Sequence, residues 1–299
     1  MKLALGPVLY LWNRDTLLDF YARAAQWPVD IVYLGETVCS KRRALRGRDW
    51  LDLAVRFADA GKEVVLSTLA LVEAASELGA MRRIAENGHY LVEANDMAAV
   101  NMLAGRTAFV AGPHINTYNG ETLRLLAELG ARRWVMPVEL GRETLSALQA
   151  ERPTGMETEV FAFGKLPLAF SARCFTARAH DLPKDACEFR CGDYPDGMLL
   201  STREDQAFLT LNGIQIQSAG TSNLIAEIPA LRALNVDVLR LSPQSTHMDK
   251  VVSAFRRVMH DELSPQDAQH ALDEYLPVRP CNGYWHGLPG MDWRDLTQV

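Results

Sequence analysis

Apolar and polar positions along this 299-residue chain fall into blocks. A short, nearly continuous apolar run is followed by a stretch with helical spacing, and the unit repeats roughly every 20 to 35 residues. Leu3–Val8, Val29–Leu34, Glu63–Thr68, Tyr90–Ala94, Thr107–Ala111, Arg133–Met136, Thr158–Phe163 and Val236–Leu241 read as eight strands. Leu17, Leu18, Tyr21, Ala24 and Ala25 share one helical face, and Trp50, Leu51, Ala54, Phe57 and Ala58 share another. Further helices are expected over Leu71–Ala85, over Met97–Leu103 behind an Asp96 cap, around Glu121–Leu129 and over Met248–His260. Strands buried on both faces should be apolar throughout, and most of these are. The pattern predicts a (β/α)8 barrel of TIM type in a single domain over residues 1–299.

The regularity breaks between the seventh and eighth strands. Residues 164–235 are too many for one ordinary connection. Within them Ala207–Leu211 and Ile214–Gln217 flank Asn212-Gly213, a two-residue hairpin signal. The expectation is an insertion at the C-terminal face of the barrel, where barrel enzymes place their chemistry. Residues 264–299 open with Ser264-Pro265, a helix-start signal. A helix over Gln266–Leu276 and a packing tail should follow.

Composition narrows the class. A chain of this length buries enough core to need no disulfide staples. Lys and Arg number 31 against 37 Asp and Glu, a net charge of −6 that speaks against nucleic acid as the main partner. The apolar start at Leu3–Trp12 is broken by Gly6-Pro7 and lacks a small-residue cleavage site, so it reads as a strand and not a signal peptide. No apolar run approaches the ~20 residues of a membrane span. The expected location is a reducing cytoplasm, where cysteines serve as metal ligands or core residues more often than as disulfides.

Five cysteines are present. Cys174, Cys187 and Cys191 lie in one 18-residue window, and Cys39 stands just beyond the second strand. Loops after different strands of a parallel barrel share one face, so Cys39 and the 174–191 loop are expected to meet. Four thiolates there suit an iron–sulfur cluster or a four-cysteine zinc. One close pair with two distant singles leans towards the cluster. Cys281 competes with Cys39 as the fourth ligand and is read as the spare. Arg173, Lys184, Arg190 and Lys41-Arg42-Arg43 should lower the thiol pKa values. His114 and Asn116, after the fifth strand, are candidates for binding a ring substrate or moving protons. Glu36, Glu93 and Asn95 are candidate inward-facing polar groups. Glu159 should lie inside the barrel, paired with a cation such as Arg173. Neither a dinucleotide fingerprint nor a phosphate-binding loop is present.

The stretch Glu159-Val-Phe161-Ala-Phe-Gly164-Lys-Leu-Pro167-Leu-Ala-Phe-Ser171-Ala-Arg173-Cys174-Phe-Thr-Ala-Arg178 resembles the signature region of the collagenase-like peptidase superfamily. Tyr33-Leu-Gly-Glu36 before Cys39, Lys184-Asp-Ala-Cys187 leading to Cys191, and Leu211-Asn-Gly-Ile-Gln215 extend the likeness over essentially the whole chain. Together they make it most similar to the branch that supports ubiquinone synthesis without oxygen. The resemblance implies a [4Fe-4S] cluster on Cys39, Cys174, Cys187 and Cys191. It also implies a heterodimer with a homologous subunit, and a lipid-binding accessory protein that carries the quinone precursor. The implied activity is oxygen-independent ring hydroxylation. Two alternatives stand beside it: a cluster-stabilised, partner-binding subunit without catalysis of its own, or an RNA-hydroxylation protein of the same superfamily. The peptidase branch has a cysteine where Lys165-Leu166-Pro167 stands here, so proteolysis is not expected.

Overall fold

The computed structural model describes residues 1–276 and 278–295; the end of the expected tail, and Pro277 within it, lie outside the described residues. Eight parallel strands close into a barrel: β1 (Lys2–Leu5), β2 (Ile31–Leu34), β3 (Glu63–Ser67), β4 (Leu91–Ala94), β5 (Phe109–Ala111), β6 (Ala131–Val135), the first half of β7 (Glu157–Phe170) and β11 (Val238–Leu241). β11 pairs with β1 on one side and β7 on the other, which closes the ring. The expected TIM-like barrel is therefore present, with each expected strand in place.

Helices α1 (Arg14–Ala24), α2 (Gly47–Asp59), α3 (Ala75–Ala85), α4 (Met97–Leu103), α5 (Gly120–Glu128) and α6 (Arg142–Glu151) follow the first six strands. The sequence reading missed α6. Its buried residues are only Leu145 and Leu148, so its apolar stripe is thin. Asn13, Asp96 and Asn119 cap α1, α4 and α5 by accepting backbone N–H groups two or three residues on.

The seventh strand was expected to end at Phe163. Instead β7 continues to Phe170, beyond the barrel's C-terminal end, and becomes the root of an antiparallel sheet. β8 (Met198–Ser201), β9 (Ala207–Asn212) and β10 (Gln215–Asn223) complete that sheet, and β10 runs back along β7 to re-enter at Asn223 opposite Phe163. The hairpin joins β9 to β10 where expected, but one residue further on: Asn212 pairs with Gln215, so the two turn residues are Gly213 and Ile214 and not Asn212 and Gly213. A short helix α7 (Phe175–Ala179) and two 3-10 turns fill the span between β7 and β8. Helix α8 (Ile228–Ala233) then leads to the last barrel strand, followed by α9 (Met248–Met259) and α10 (Pro265–Asp273). The tail lies across the insertion: β12 (Pro280–Cys281) pairs with Thr221-Ser222 of β10. Among the described residues no helix is long and apolar enough to cross a membrane.

Alternate strand residues face the lumen. Ala4, Ile31, Tyr33, Val65, Val110, Val135 and Val238 form its apolar filling. Charge occupies the remaining lumen positions. Arg240, 3% exposed, donates from Nε to Glu159 Oε1 at 2.6 Å and from Nη1 reaches Glu93 Oε1 at 2.7 Å. Its guanidinium lies 4.0 Å over the Tyr33 ring. The Tyr33 hydroxyl donates to Glu159 Oε2 at 2.5 Å. Arg133 lies below, donating to Glu63 and Glu157 and, at 3.2 Å, to the Tyr33 oxygen. Glu159 is thus inside the barrel, but its partners are Arg240 and Tyr33; Arg173, on the exposed side of the insertion, is not among them.

Removing one member of such a network strands a buried charge. Arg240→Met, which leaves Glu93 without its cation and Glu159 with only the more distant Arg133 at 3.8 Å, is expected to destabilise the fold by about 3–5 kcal/mol in urea unfolding. Adding Glu93→Gln to Arg240→Met should recover part of that loss. Additive losses in the double variant would show that the pair is not coupled.

Candidate functional site

Two loops build the thiol-bearing region at the C-terminal face. The first follows β2. Glu36 Oε1 accepts the backbone N–H groups of Val38 at 2.9 Å and Cys39 at 3.0 Å, folding the loop so that Val38 is buried and Cys39 half-buried. The second is the insertion. Cys174 sits at the start of α7, its Sγ accepting the Ala177 N–H at 3.4 Å. Cys187 follows one 3-10 turn and Cys191 lies in the next. Between them Glu188 and Phe189 take left-handed conformations, φ 50° and 55°. Two such non-glycine residues in succession are costly unless their surroundings hold them. Here they turn the chain so that both cysteines serve one region.

Arg42 ties the two loops together. Its Nη1 donates to the Leu9 carbonyl and its Nη2 to Asn212 Oδ1, both at 2.7 Å. Asn212 Nδ2 also donates to Leu9 O at 2.8 Å. Gly213 has φ +68°, and a Cβ there would meet Arg42 Nη2 at 2.9 Å, so glycine is needed for both backbone and space. The turn then reaches α7: Phe175 N–H donates to Gly213 O, and Gly213 N–H to Thr176 Oγ1. Lys41 bonds Asp185 and the Lys184 carbonyl, while Lys184 bonds Glu73, lacing the 184–191 segment to the loops after β2 and β3.

All four expected cysteines are half-buried free thiols. Cys191 lies within electrostatic reach of Cys39, Cys174 and Cys187, and Lys41 of Cys39 and Cys187. Burial pushes the Cys39 and Cys191 thiols up, against the opposing pull of Arg42. For Cys39 and Cys191 burial thus outweighs the expected lowering, and most of the nearby cations are engaged elsewhere: Lys41 and Lys184 as above, and Arg190 by Glu188 and Asp193. Arg42 alone of these cations is buried beside the thiols, where it interacts directly with Cys191. Among the described residues no three His, Cys, Asp or Glu side chains stand in metal-ligating geometry. What links the thiols is their shared neighbourhood with one buried cation, Arg42, which acts on both Cys39 and Cys191. Cys281 packs elsewhere, against Phe161 and Leu166, and burial pushes its thiol up to about 12.

A recess opens beside this region, at the centre of the barrel mouth. Its lining includes Thr37, Glu93, Asn95, His114, Phe161 and Arg240. His114 lines this recess, whereas Asn116 is exposed and outside it. The His114 ring meets the edge of Phe170 at 4.6 Å between centroids. Glu93 and Asn95 do point inward, as expected. Sequence reasoning missed Arg240, Tyr33 and Thr37. A lone arginine within the apolar run Val236–Leu241 was the available signal, since strands buried on both faces rarely carry a charge without a purpose.

Burial holds the His114 imidazole down to about 4, with Glu93 opposing and Arg240 adding to the fall. Its folded pKa lies below the usual 6.5, so the unfolded chain binds more protons between those values. Stability should therefore fall as pH drops from about 6.5 towards 4. In an NMR titration the His114 ring is expected to stay neutral through pH 5. A midpoint near 6.5 would contradict the burial argument.

Peptidase family U32 matches residues 18–294 of the chain. A solved U32 peptidase aligns with a TM-score of 0.46 at 12% identity, covering 81% of this chain and 93% of that one. The spore cortex-lytic enzyme SleL of Bacillus megaterium gives 0.44 at 11%, over 85% and 73%. Dihydrodipicolinate synthase of Agrobacterium tumefaciens gives 0.37 at 12%, over 90% and 78%. The family match spans nearly the whole barrel together with its insertion, and the chain belongs to peptidase family U32.

Proposed function

We propose that this U32 protein is an iron–sulfur subunit of an oxygen-independent hydroxylase in ubiquinone synthesis, of the UbiV type. In this reading it works beside a homologous UbiU-like subunit and a lipid-binding protein that presents the quinone precursor. Cys39, Cys174, Cys187 and Cys191 would hold a [4Fe-4S] cluster, which supplies one-electron transfer when bound. The observation that supports the reading is the association of four free thiols with the buried Arg42, which acts directly on Cys39 and Cys191.

The chain's own residues do the preparatory work. Glu36 fixes the Cys39 loop, and Asn212 and Arg42 fix the insertion against it. Arg42 contributes a permanent positive charge that offsets thiolate charge where water is largely excluded. Burial has raised the Cys39 and Cys191 thiols, so deprotonation on ligation depends on that compensation.

Protein purified without oxygen is expected to be brown and to contain about four iron and four sulfide per chain. Cys191→Ala should lose nearly all of both, and Cys281→Ala should keep them. Colourless wild-type protein carrying only zinc would overturn the reading. Loss of quinone hydroxylation in Cys191→Ala, with far-UV circular dichroism and partner binding intact, would further separate electron transfer from a structural role.

A further inference from the structure

The insertion sheet is turned inside out. On its barrel side, β9 and β10 carry polar side chains: Thr210, Asn212, Gln215 and Gln217 are each at most 1% exposed. Asn212 pairs with Gln215 and Thr210 with Gln217, so all four share one face. Their contacts fix that face against the barrel. Asn212 binds Arg42 and the Leu9 carbonyl, and Thr210 accepts from Lys165.

The alternate residues point outward, and they are apolar. Met198, Leu211, Ile216 and Ala169 stand in one row across β8, β9, β10 and β7, and Leu200 pairs with Leu209 in the next. All six are half-buried or exposed, Leu200 at 41%. None joins an apolar cluster among the described residues. A sheet with one solvated face normally buries its apolar side and wets its polar one. The inversion therefore calls for a second surface over the outer face. The edge beside it is open as well. Among the described residues β8 pairs only with β9, and Met198-Leu-Leu-Ser201 carries none of the charges or prolines that usually guard a free edge.

The chemistry of the face selects its occupant. Neither row holds a cation, so a nucleic acid would find nothing there to bind its phosphates. A bilayer would have to take in the unpaired backbone groups of β8, and the exposed Arg203, Glu204 and Asp205 of the next turn would hold it off. A flat apolar sheet face is matched by another of its kind, as in two packed sheets. A homologous subunit, built with the same insertion, offers that match. We propose that the outer face of the insertion sheet docks the homologous subunit, sheet against sheet. The identity of the partner rests on the two-subunit reading above. The face measures roughly 15 by 20 Å. A stable interface needs about 800 Å² per partner, so the contact runs on over the open edge at β8. Docking there braces the strand that holds Asn212 against Arg42, and through it the thiol loops.

Hydrogen exchange and affinity measurements on the full chain with the UbiU-like subunit test the assignment. A complex is expected, with slowed exchange over residues 198–201 and 207–218. Leu200→Asp alters an exposed position and should weaken the complex at least about tenfold, with far-UV circular dichroism unchanged. Leu51→Asp, on α2 and 45% exposed, should leave affinity as it is. Unslowed exchange over those strands in the complex, unchanged affinity in Leu200→Asp, or an equal loss in Leu51→Asp would each overturn the proposal. So would failure to form a complex, or a homodimer of this chain that Leu200→Asp dissolves. The readout is independent of iron. A chain that pairs through this face but binds no iron would sink the cluster reading alone. An iron-bearing complex with the face unprotected would sink this one alone.

Discussion

The site at the barrel's C-terminal face depends on a single buried cation, Arg42. A guanidinium taken out of water is tolerated only where fixed acceptors replace its hydration. Those acceptors here come from three separate stretches: the Leu9 carbonyl beyond β1, the Asn212 amide at the hairpin turn and, at 3.9 Å, the Glu36 carboxylate beyond β2. The cation therefore cannot be satisfied unless barrel and insertion are correctly docked. Its geometry also explains the Asn-Gly pair at the hairpin: asparagine supplies the acceptor and glycine the clearance. The same turn anchors α7, and with it Cys174. One electrostatic requirement thus propagates into the placement of the thiols.

Arg240 plays a comparable part within the barrel, to a different end. Burial alone would raise the Glu93 carboxyl, yet Arg240, Ser67 and Asn95 together hold it below the usual range. Glu93 and Glu159 take two of the guanidinium's three nitrogens, and Nη2 is left without a hydrogen-bond partner. A lumen filled only with valines and isoleucines would pack as well and would present nothing to a ligand. Stability alone does not account for the polar layer, since buried ion networks seldom exceed an apolar core of equal volume in stabilising power.

The barrel was legible in the sequence because each strand is short, apolar and punctuated, as at Gly61, Asn87-Gly88 and Gly130. The meeting of Cys39 with the 174–191 loop was also legible, because parallel strands deliver all their C-terminal loops to one face. What could not be read was the course of β7. Gly164, at φ +127°, and Pro167 mark the change of partner, but in sequence such residues signal a strand's end as readily as a bulge through which it continues, and the apolar run goes on through Leu166, Leu168 and Phe170. Helix α6 buries too little to leave a clear stripe. The fate of the basic residues was hidden for another reason. Which of Lys41, Arg42 and Arg43 turns inward depends on acceptors up to 170 residues away. Local composition carries no trace of that.

The overrun of β7 has a consequence for chemistry. A strand that stopped at the rim would leave the thiol loops and the recess on separate, independently moving connections. Because β7 runs on to Phe170, and β10 returns beside it, Phe161 at the recess and Phe170 at the thiol region lie on one hydrogen-bonded element. Leu9 fixes the other side: it faces the recess with its side chain and binds Arg42 with its carbonyl. The two regions therefore share walls, and a shift of either transmits to the other through packed side chains. Thr37, two residues from Cys39, keeps its buried hydroxyl without a hydrogen-bond partner beside that wall.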